Sequence, residues 1–357
     1  MTDTSGSEAT TGTDVPAPEF EGSFALCLTH DVDRPYKTYQ SLFYALGERR
    51  LAHLESLLPR VNPYWQFEEI MAIEEHLGVR SAFYFLDGEY LLSRPPREWL
   101  SPFYWLEWLG GYDPTAPAIA QVVRALDDGG WEVGLHGSYG THCDPERLAA
   151  EKRKLEAILG HDLQGGRQHY LRLSDPPAET WGQYRDLGLS YDASLGSSTE
   201  YGFRHGYDLL APFEDEFRVF PLTLMEVALE NAPSAGDADP EGSSVRVGSD
   251  EKDGHRDGSR RGIDVKAAWR ECERLLEEAA ANEAVMTVLW HPRYFSTEDF
   301  PGYRELYRRL IERALSMGAW VGPPGDLYRT IDHDRVSEHD ERRDVAGTTG
   351  RETGESR

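Results

Sequence analysis

Lysine is scarce in this chain: five of its 37 basic residues are lysines, against 63 acidic residues, and the formal charge is −26. No basic stripe is present to neutralise a row of phosphates, which excludes nucleic acid as a partner. Cysteine is scarcer still. Cys27, Cys143 and Cys272 are odd in number and far apart, so no disulfide framework is implied, and they read as small buried or unremarkable thiols. No apolar run approaches about 18 residues, and the start of the chain lacks a basic segment followed by an apolar one. The expectation is a cytoplasmic protein without a transmembrane segment. A glycine fingerprint for phosphate after the first apolar run is missing, as are internal repeats and heptads, which disfavours a dinucleotide-binding fold and a solenoid.

An acid excess with arginine chosen over lysine suits a salt-rich cytoplasm, such as a haloarchaeal one. At molar salt the Debye length falls to about 3 Å, and self-repulsion is screened. The melting midpoint is therefore expected to rise through a KCl series.

The composition divides the chain. Residues 1–22 and 333–357 are polar or charged with few large apolar side chains and read as disordered tails, and residues 232–262 read as a mobile insertion. The remainder, within 23–332, has the size of one (β/α) barrel. Its pattern is a repeated strand, helix and glycine. Apolar strands are expected at 24–33, 79–86, 131–136, 166–170, 189–192, 285–291 and 319–321. Helices are expected at 36–58, 65–76, 117–127, 146–159, 177–187, 265–282 and 301–317. Strands alternating with helices of ten or more residues imply a parallel sheet with right-handed crossovers, and seven strands favour a closed barrel over an open sheet.

The first strand, Phe24-Ala-Leu-Cys-Leu-Thr29, ends abruptly in His30-Asp31-Val32-Asp33. Two acids at that spacing suit a division of labour, one holding a metal ion and one accepting a proton from water; an Asx turn closing the strand is the plainer alternative. Other strands end in His136, in Arg167 with His169, in Asp192 and in His291. A strand-end histidine is as often a hydrogen-bonded structural residue. A (β/α) barrel, however, gathers the carboxyl ends of its strands on one face, which brings these residues together in the geometry of a metal-dependent hydrolase.

These residues, in this order, resemble the motifs of the polysaccharide deacetylases of carbohydrate esterase family 4, the NodB-type family of metal-dependent N-deacetylases. Thr29-His-Asp31-Val-Asp33 is similar to the first motif, Gly134-Leu-His136-Gly-Ser-Tyr139 to the second, Arg167 to Tyr170 to the third, Tyr191-Asp192-Ala-Ser194 more loosely to the fourth, and Leu289-Trp290-His291 to the fifth. The resemblance implies a distorted (β/α)7 barrel in a single domain, with Asp31 as catalytic base, Arg167 orienting it, and His291 as general acid. It implies a divalent ion, zinc by preference with cobalt, nickel or manganese as alternatives, held by Asp33 and His136. The family's second histidine falls four residues after the first, where this chain has Gly140. His142 is the nearest substitute if the Gly137 to Thr141 turn folds back, with His30 and His169 next in line. Tyr139, Tyr170, Asp192, Arg204 and Trp290 are candidate substrate contacts. The implied reaction removes an N-acetyl group from an acetamido sugar of a glycan or polysaccharide precursor. Hydrolysis of a non-sugar linear or cyclic amide is the alternative enzyme, and a non-catalytic carbohydrate-binding descendant the alternative class. The sequence leaves the oligomeric state open.

Overall fold

Every named strand of the computed structural model runs parallel to its neighbours. The structure describes residues 22–37, 62–88, 100, 111–233 and 263–330. The expected helix at 36–58, both tails and nearly all of the 232–262 insertion lie outside the described residues. In chain order the elements are β1 (Ala25–Val32), α1 (Phe67–Leu77), β2 (Ala82–Leu86), α2 (Pro117–Asp128), β3 (Glu132–Gly137), α3 (Pro145–Leu159), β4 (Gly165–Gln168), α4 (Ala178–Asp186), β5 (Tyr191–Asp192), β6 (Arg218–Val219), β7 (Leu222–Met225), α5 (Val265–Ala281), β8 (Val285–Leu289), α6 (Tyr303–Ser316) and β9 (Trp320–Gly322). Helix ends follow local chemistry. Asp144 caps α3 by accepting from the Arg147 amide, and Gly78 and Gly160 end α1 and α3 at φ 72° and 85°, a left-handed conformation that glycine adopts without a Cβ clash.

The sheet order is β6-β5-β4-β3-β2-β1-β8-β7, and β9 adds to β1. Its two ends are joined by the chain itself. Only Phe220 and Pro221 separate β6, which pairs with β5, from β7, which pairs with β8. Residues 218–225 thus form one broken strand that spans the gap, helped by Phe220 N donating to Asp192 O (2.8 Å) and Leu222 N to Leu195 O (2.7 Å). Pro221 has no amide hydrogen to give to either ladder, so the break falls there. With β6 and β7 counted as one, β1 to β8 make seven staves, and the barrel is distorted where this strand changes partners. β9 pairs with residues 25–27 of β1, while β2 takes residues 29–32 above it.

Strand parity decides what faces the lumen. Ala25, Cys27, Ala82, Tyr84, Tyr191, Ala193, Phe220 and Val285 pack together inside the barrel. Leu26, Leu28, Phe83, Phe85, Leu135, Met286 and Val288 face outward onto Phe67, Ile70, Val123, Leu276, Leu306 and Leu310 of the helices. Two lumen glycines make room for the large rings: a Cβ on Gly134 would stand 2.6 Å from Tyr84, and one on Gly165 would stand 2.3 Å from Tyr191. Below them Tyr84 and Tyr191 share a hydroxyl hydrogen bond (3.0 Å), Tyr191 donates to Glu132 (2.7 Å), and the Gly325 amide donates to the other Glu132 oxygen (2.9 Å). This network plugs the lower end, and burial pushes the Glu132 carboxyl up to about 7. The mouth is the end where the strands' carboxyl termini emerge.

Candidate functional site

On β1, Thr29 and Asp31 share the lumen face, and Asp33 follows them two residues on. Arg167, on the lumen face of β4 and fully buried, binds both of the first two: its Nη1 donates to Asp31 Oδ1 at 2.8 Å and to Thr29 Oγ1 at 2.9 Å, while its Nε donates to Ala193 O at 2.7 Å. The guanidinium also lies over the Tyr84 ring, 5.1 Å from its centroid. Asp31 is thus gripped from below with a carboxylate oxygen left toward the mouth, where His136 Nε2 stands 3.8 Å from Oδ2.

Asp33 gathers the imidazoles. His136 Nε2 is 3.1 Å and His169 Nε2 3.5 Å from its Oδ1, and His291 Nε2 is 3.3 Å from its Oδ2. Among the described residues, Asp33, His136 and His169 offer ligand atoms all within 4.8 Å of one another. The His136 Nδ1 donates to Arg167 O (3.0 Å), which leaves the Nε2 lone pair facing the cluster as a metal ligand requires. Two imidazoles and one carboxylate, with further positions open, form a donor set that fits a catalytic divalent ion. His291 is held from behind by Glu226, the residue that follows β7: its Nδ1 donates to Glu226 Oε1 at 2.6 Å.

The charges are interdependent. Burial alone would raise the Asp33 carboxyl, but the facing His169 and His291 outweigh it and hold Asp33 well below the ordinary value. Burial likewise opposes charge on His136, and Asp31 and Asp33 reverse the direction and raise it. For His291, burial is outweighed by Glu226 and Asp33, which push the imidazole up to about 10.

The second imidazole of the cluster is His169, not His142. The Ser138 to Cys143 turn is tied down instead of folding back: Thr141 Oγ1 donates to Ser138 O (2.8 Å) with Gln168 Oε1 also within reach at 2.9 Å, and the His142 carbonyl accepts from Thr180 and Gln183 of α4. His169 reaches the cluster because it continues the lumen-facing parity of Gly165 and Arg167. Immediately after it, Tyr170 and Leu171 adopt φ of 59° and 55°, a strained left-handed turn costing about 1–3 kcal/mol per residue, of the kind that persists where a side chain must be aimed. His169→Ala should therefore weaken divalent-metal affinity a hundredfold or more, beyond the roughly 10–100-fold typical of losing an outer partner, while His142→Ala should leave the metal titration unchanged.

Other candidates are sorted by the same parity. Asp192 faces α4, not the mouth. It accepts from Trp181 Nε1 (3.1 Å) and from the Ser194 hydroxyl (2.5 Å) and amide (3.0 Å), and burial pushes it up to about 6. Trp290 is fully buried in the outer layer against Tyr303 and Tyr307, so its ring is no sugar platform. Arg204 is exposed and ion-paired with Glu200. Tyr170, 49% exposed, packs tilted against His169 at 4.2 Å and meets Tyr139 edge-on at 6.0 Å, so these two rings line the rim beside the cluster.

His30 points outward between β1 and β8. Its Nδ1 donates to Trp290 O (2.5 Å), and its Nε2 lies 3.1 Å from Glu74 Oε1. Glu74 also accepts from Tyr307 (2.6 Å), Ser81 (2.9 Å) and Trp131 (2.7 Å), all buried. This node ties the strand bearing Asp31 to the strand leading to His291. Glu74→Ala leaves four buried polar side chains without this partner and should cost about 3–5 kcal/mol in denaturant unfolding.

Glu226 is the site residue that sequence reasoning misses. Its strand is short and preceded by Pro221, so neither length nor continuity marks it as a barrel stave.

Fold and site together describe a distorted parallel α/β barrel carrying a candidate divalent-metal centre at its mouth. Solved structures share that fold. A protein from Mycobacterium smegmatis named as a polysaccharide deacetylase superposes with a TM-score of 0.54 at 15% identity, covering 91% of this chain and 96% of its own. Puue allantoinase gives 0.51 at 13% identity, covering 92% and 97%. A Pseudomonas aeruginosa PAO1 protein, also named as a polysaccharide deacetylase, gives 0.51 at 12%, covering 89% and 94%. No family model and no curated protein matches the sequence.

Proposed function

We propose that this protein is a metal-dependent hydrolase that removes the N-acetyl group from an acetamido sugar of a glycan or polysaccharide precursor. The observation that carries the reading is the Asp33–His136–His169 cluster set between two prepared proton carriers, Asp31 on Arg167 and His291 on Glu226. Zinc is the proposed ion, with cobalt, nickel or manganese as alternatives, and the place proposed from the acid excess is a salt-rich cytoplasm. A divalent ion held by Asp33, His136 and His169 would supply Lewis acidity, bringing the pKa of water down toward about 7 and polarising the amide carbonyl.

The remaining work falls to side chains. Asp31 takes a proton from the attacking water through its mouth-facing oxygen, and Arg167 fixes that carboxylate's orientation. His291 Nε2 delivers a proton to the departing nitrogen, and Glu226 keeps the ring protonated and aimed. Leu289 packs with Leu222 and Met225, with Leu171 against them, an apolar corner suited to an acetyl methyl.

The likeness to an allantoinase supports a second reading, hydrolysis of a non-sugar C–N bond by the same site. Incubating the zinc-loaded protein with N-acetylated oligosaccharides and, separately, with allantoin separates the two. Acetate release is the expected result; allantoin opening without acetate release overturns the sugar reading.

A further inference from the structure

β1 and β2 both end at the mouth, β1 at Val32 and β2 at Leu86, and a residue from outside the barrel joins the two ends. The Tyr112 hydroxyl accepts from the Leu86 amide (2.9 Å) and donates to the Val32 carbonyl (2.7 Å). That carbonyl belongs to the planar peptide leading into Asp33, so anchoring it orients the Asp33 backbone. Leu86, at the other end of the tie, lies opposite His136 in the β2–β3 ladder. One hydroxyl thus connects the peptide before the carboxylate of the cluster to the β2 residue beside its first imidazole. The two side chains so placed meet at 3.1 Å, between Asp33 Oδ1 and His136 Nε2.

The β1–β2 register stops at Val32 and Phe85, so Asp33 lies past the last pair of the ladder and the Tyr112 tie acts where regular pairing ends. Tyr112 is itself built in. It is buried, and its carbonyl accepts from the Gly88 amide at 2.7 Å. A Cβ on Gly88 would stand 2.3 Å from that carbonyl oxygen, so the loop after β2 admits Tyr112 only with glycine there. Burial, with Asp33, Asp87 and Asp31 adding to it against the Leu86 amide, holds the phenol well above its ordinary value, and the hydroxyl therefore keeps its proton and remains a donor.

We propose that Tyr112 is a positioning residue of the metal site: its buried hydroxyl fixes the spacing of the strand ends that carry Asp33 and His136. The proposal rests on the metal-dependent hydrolase reading above and adds a residue that touches neither the ion nor the substrate.

The test compares full-length wild type with Tyr112→Phe. Zinc affinity, read by competition with a chromophoric chelator, is expected to fall tenfold or more in the variant, the low end of the roughly 10–100-fold loss typical when an outer partner is removed. In the metal-free proteins, amide hydrogen exchange of residues 32–34 and 86–88 is expected to quicken tenfold or more, while that of residues 25–29 stays as in wild type. Gly88→Ala keeps the phenol but drives back the Tyr112 carbonyl; it should reproduce both effects, and it takes the place of Tyr112→Phe if that variant fails to fold. Where zinc binds wild type, its affinity decides. Unchanged zinc binding in a folded variant whose unfolding midpoint alone has dropped makes the hydroxyl a structural tie only and overturns the proposal. A wild type that binds no zinc defeats the hydrolase reading by itself, and the exchange pattern then decides: quickening confined to the two strand ends supports the role of Tyr112, and even quickening along β1, or none, overturns it.

Discussion

Asp31→Asn is expected to lower turnover by two or more decades while leaving fold and metal content intact. The substitution is isosteric. The amide oxygen still accepts from Arg167 Nη1, now 2.8 Å from Asp31 Oδ1, so the buried guanidinium keeps a partner and β1 keeps its place. What is lost is the capacity to take a proton from water, and general-base assistance contributes typically about 10²–10⁴-fold. The measurement is steady-state turnover beside metal content and circular dichroism of the same preparations. Wild-type turnover in a folded, metal-loaded variant would remove Asp31 from the mechanism.

The second large effect is on pH dependence. His291 must be protonated to act as an acid, and its pKa is pushed up to about 10 because Glu226 and Asp33 outweigh the opposing cost of burial. A raised pKa keeps the acid form populated as pH rises, so activity persists into alkaline conditions. Glu226→Gln retains an acceptor for Nδ1 but removes the charge, and the alkaline limb of the pH–rate profile is expected to move down toward the ordinary imidazole value of 6.5. Because each unit of pKa is a factor of ten in the protonation equilibrium, turnover at pH 9 should fall roughly tenfold or more relative to wild type, with a much smaller loss at pH 6. An unmoved alkaline limb would show that Glu226 does not govern the acid. Under the same test Asp192→Asn should leave the limb in place, since its carboxylate faces α4.

The strands that carry most of the site were legible because they are buried on both faces and therefore uniformly apolar until they emerge. The run from Phe24 to Thr29 marks β1 by composition alone, and its polar end marks the mouth. The same logic located Arg167, His136 and His291. It failed where parity, not position, decides: Asp192 and Trp290 end their strands as plainly as His136 does, yet face the helix layer. The expectation of His142 ahead of His169 fails for a related reason. The Gly-rich turn made a folded-back loop conceivable, whereas the hydrogen bonds that prevent it come from Gln168, Thr180 and Gln183, residues distant enough in sequence to leave no local sign. Glu226 escaped because the strand that delivers it is broken by Pro221 and is recognisable only by its two different partners.

The central place of β1 also bears on how the protein comes to exist. Residues 25–29 are flanked by residues 285–289 on one edge and, in their lower half, by residues 320–322 on the other, so the earliest of the barrel's described strands is among the last to be fully paired. Nearly the whole chain must leave the ribosome before that strand's edges are covered, and until then its apolar face is open to association with other chains. Such long-range pairing makes folding slow and post-translational, with loop closure paid for before the barrel returns any stability.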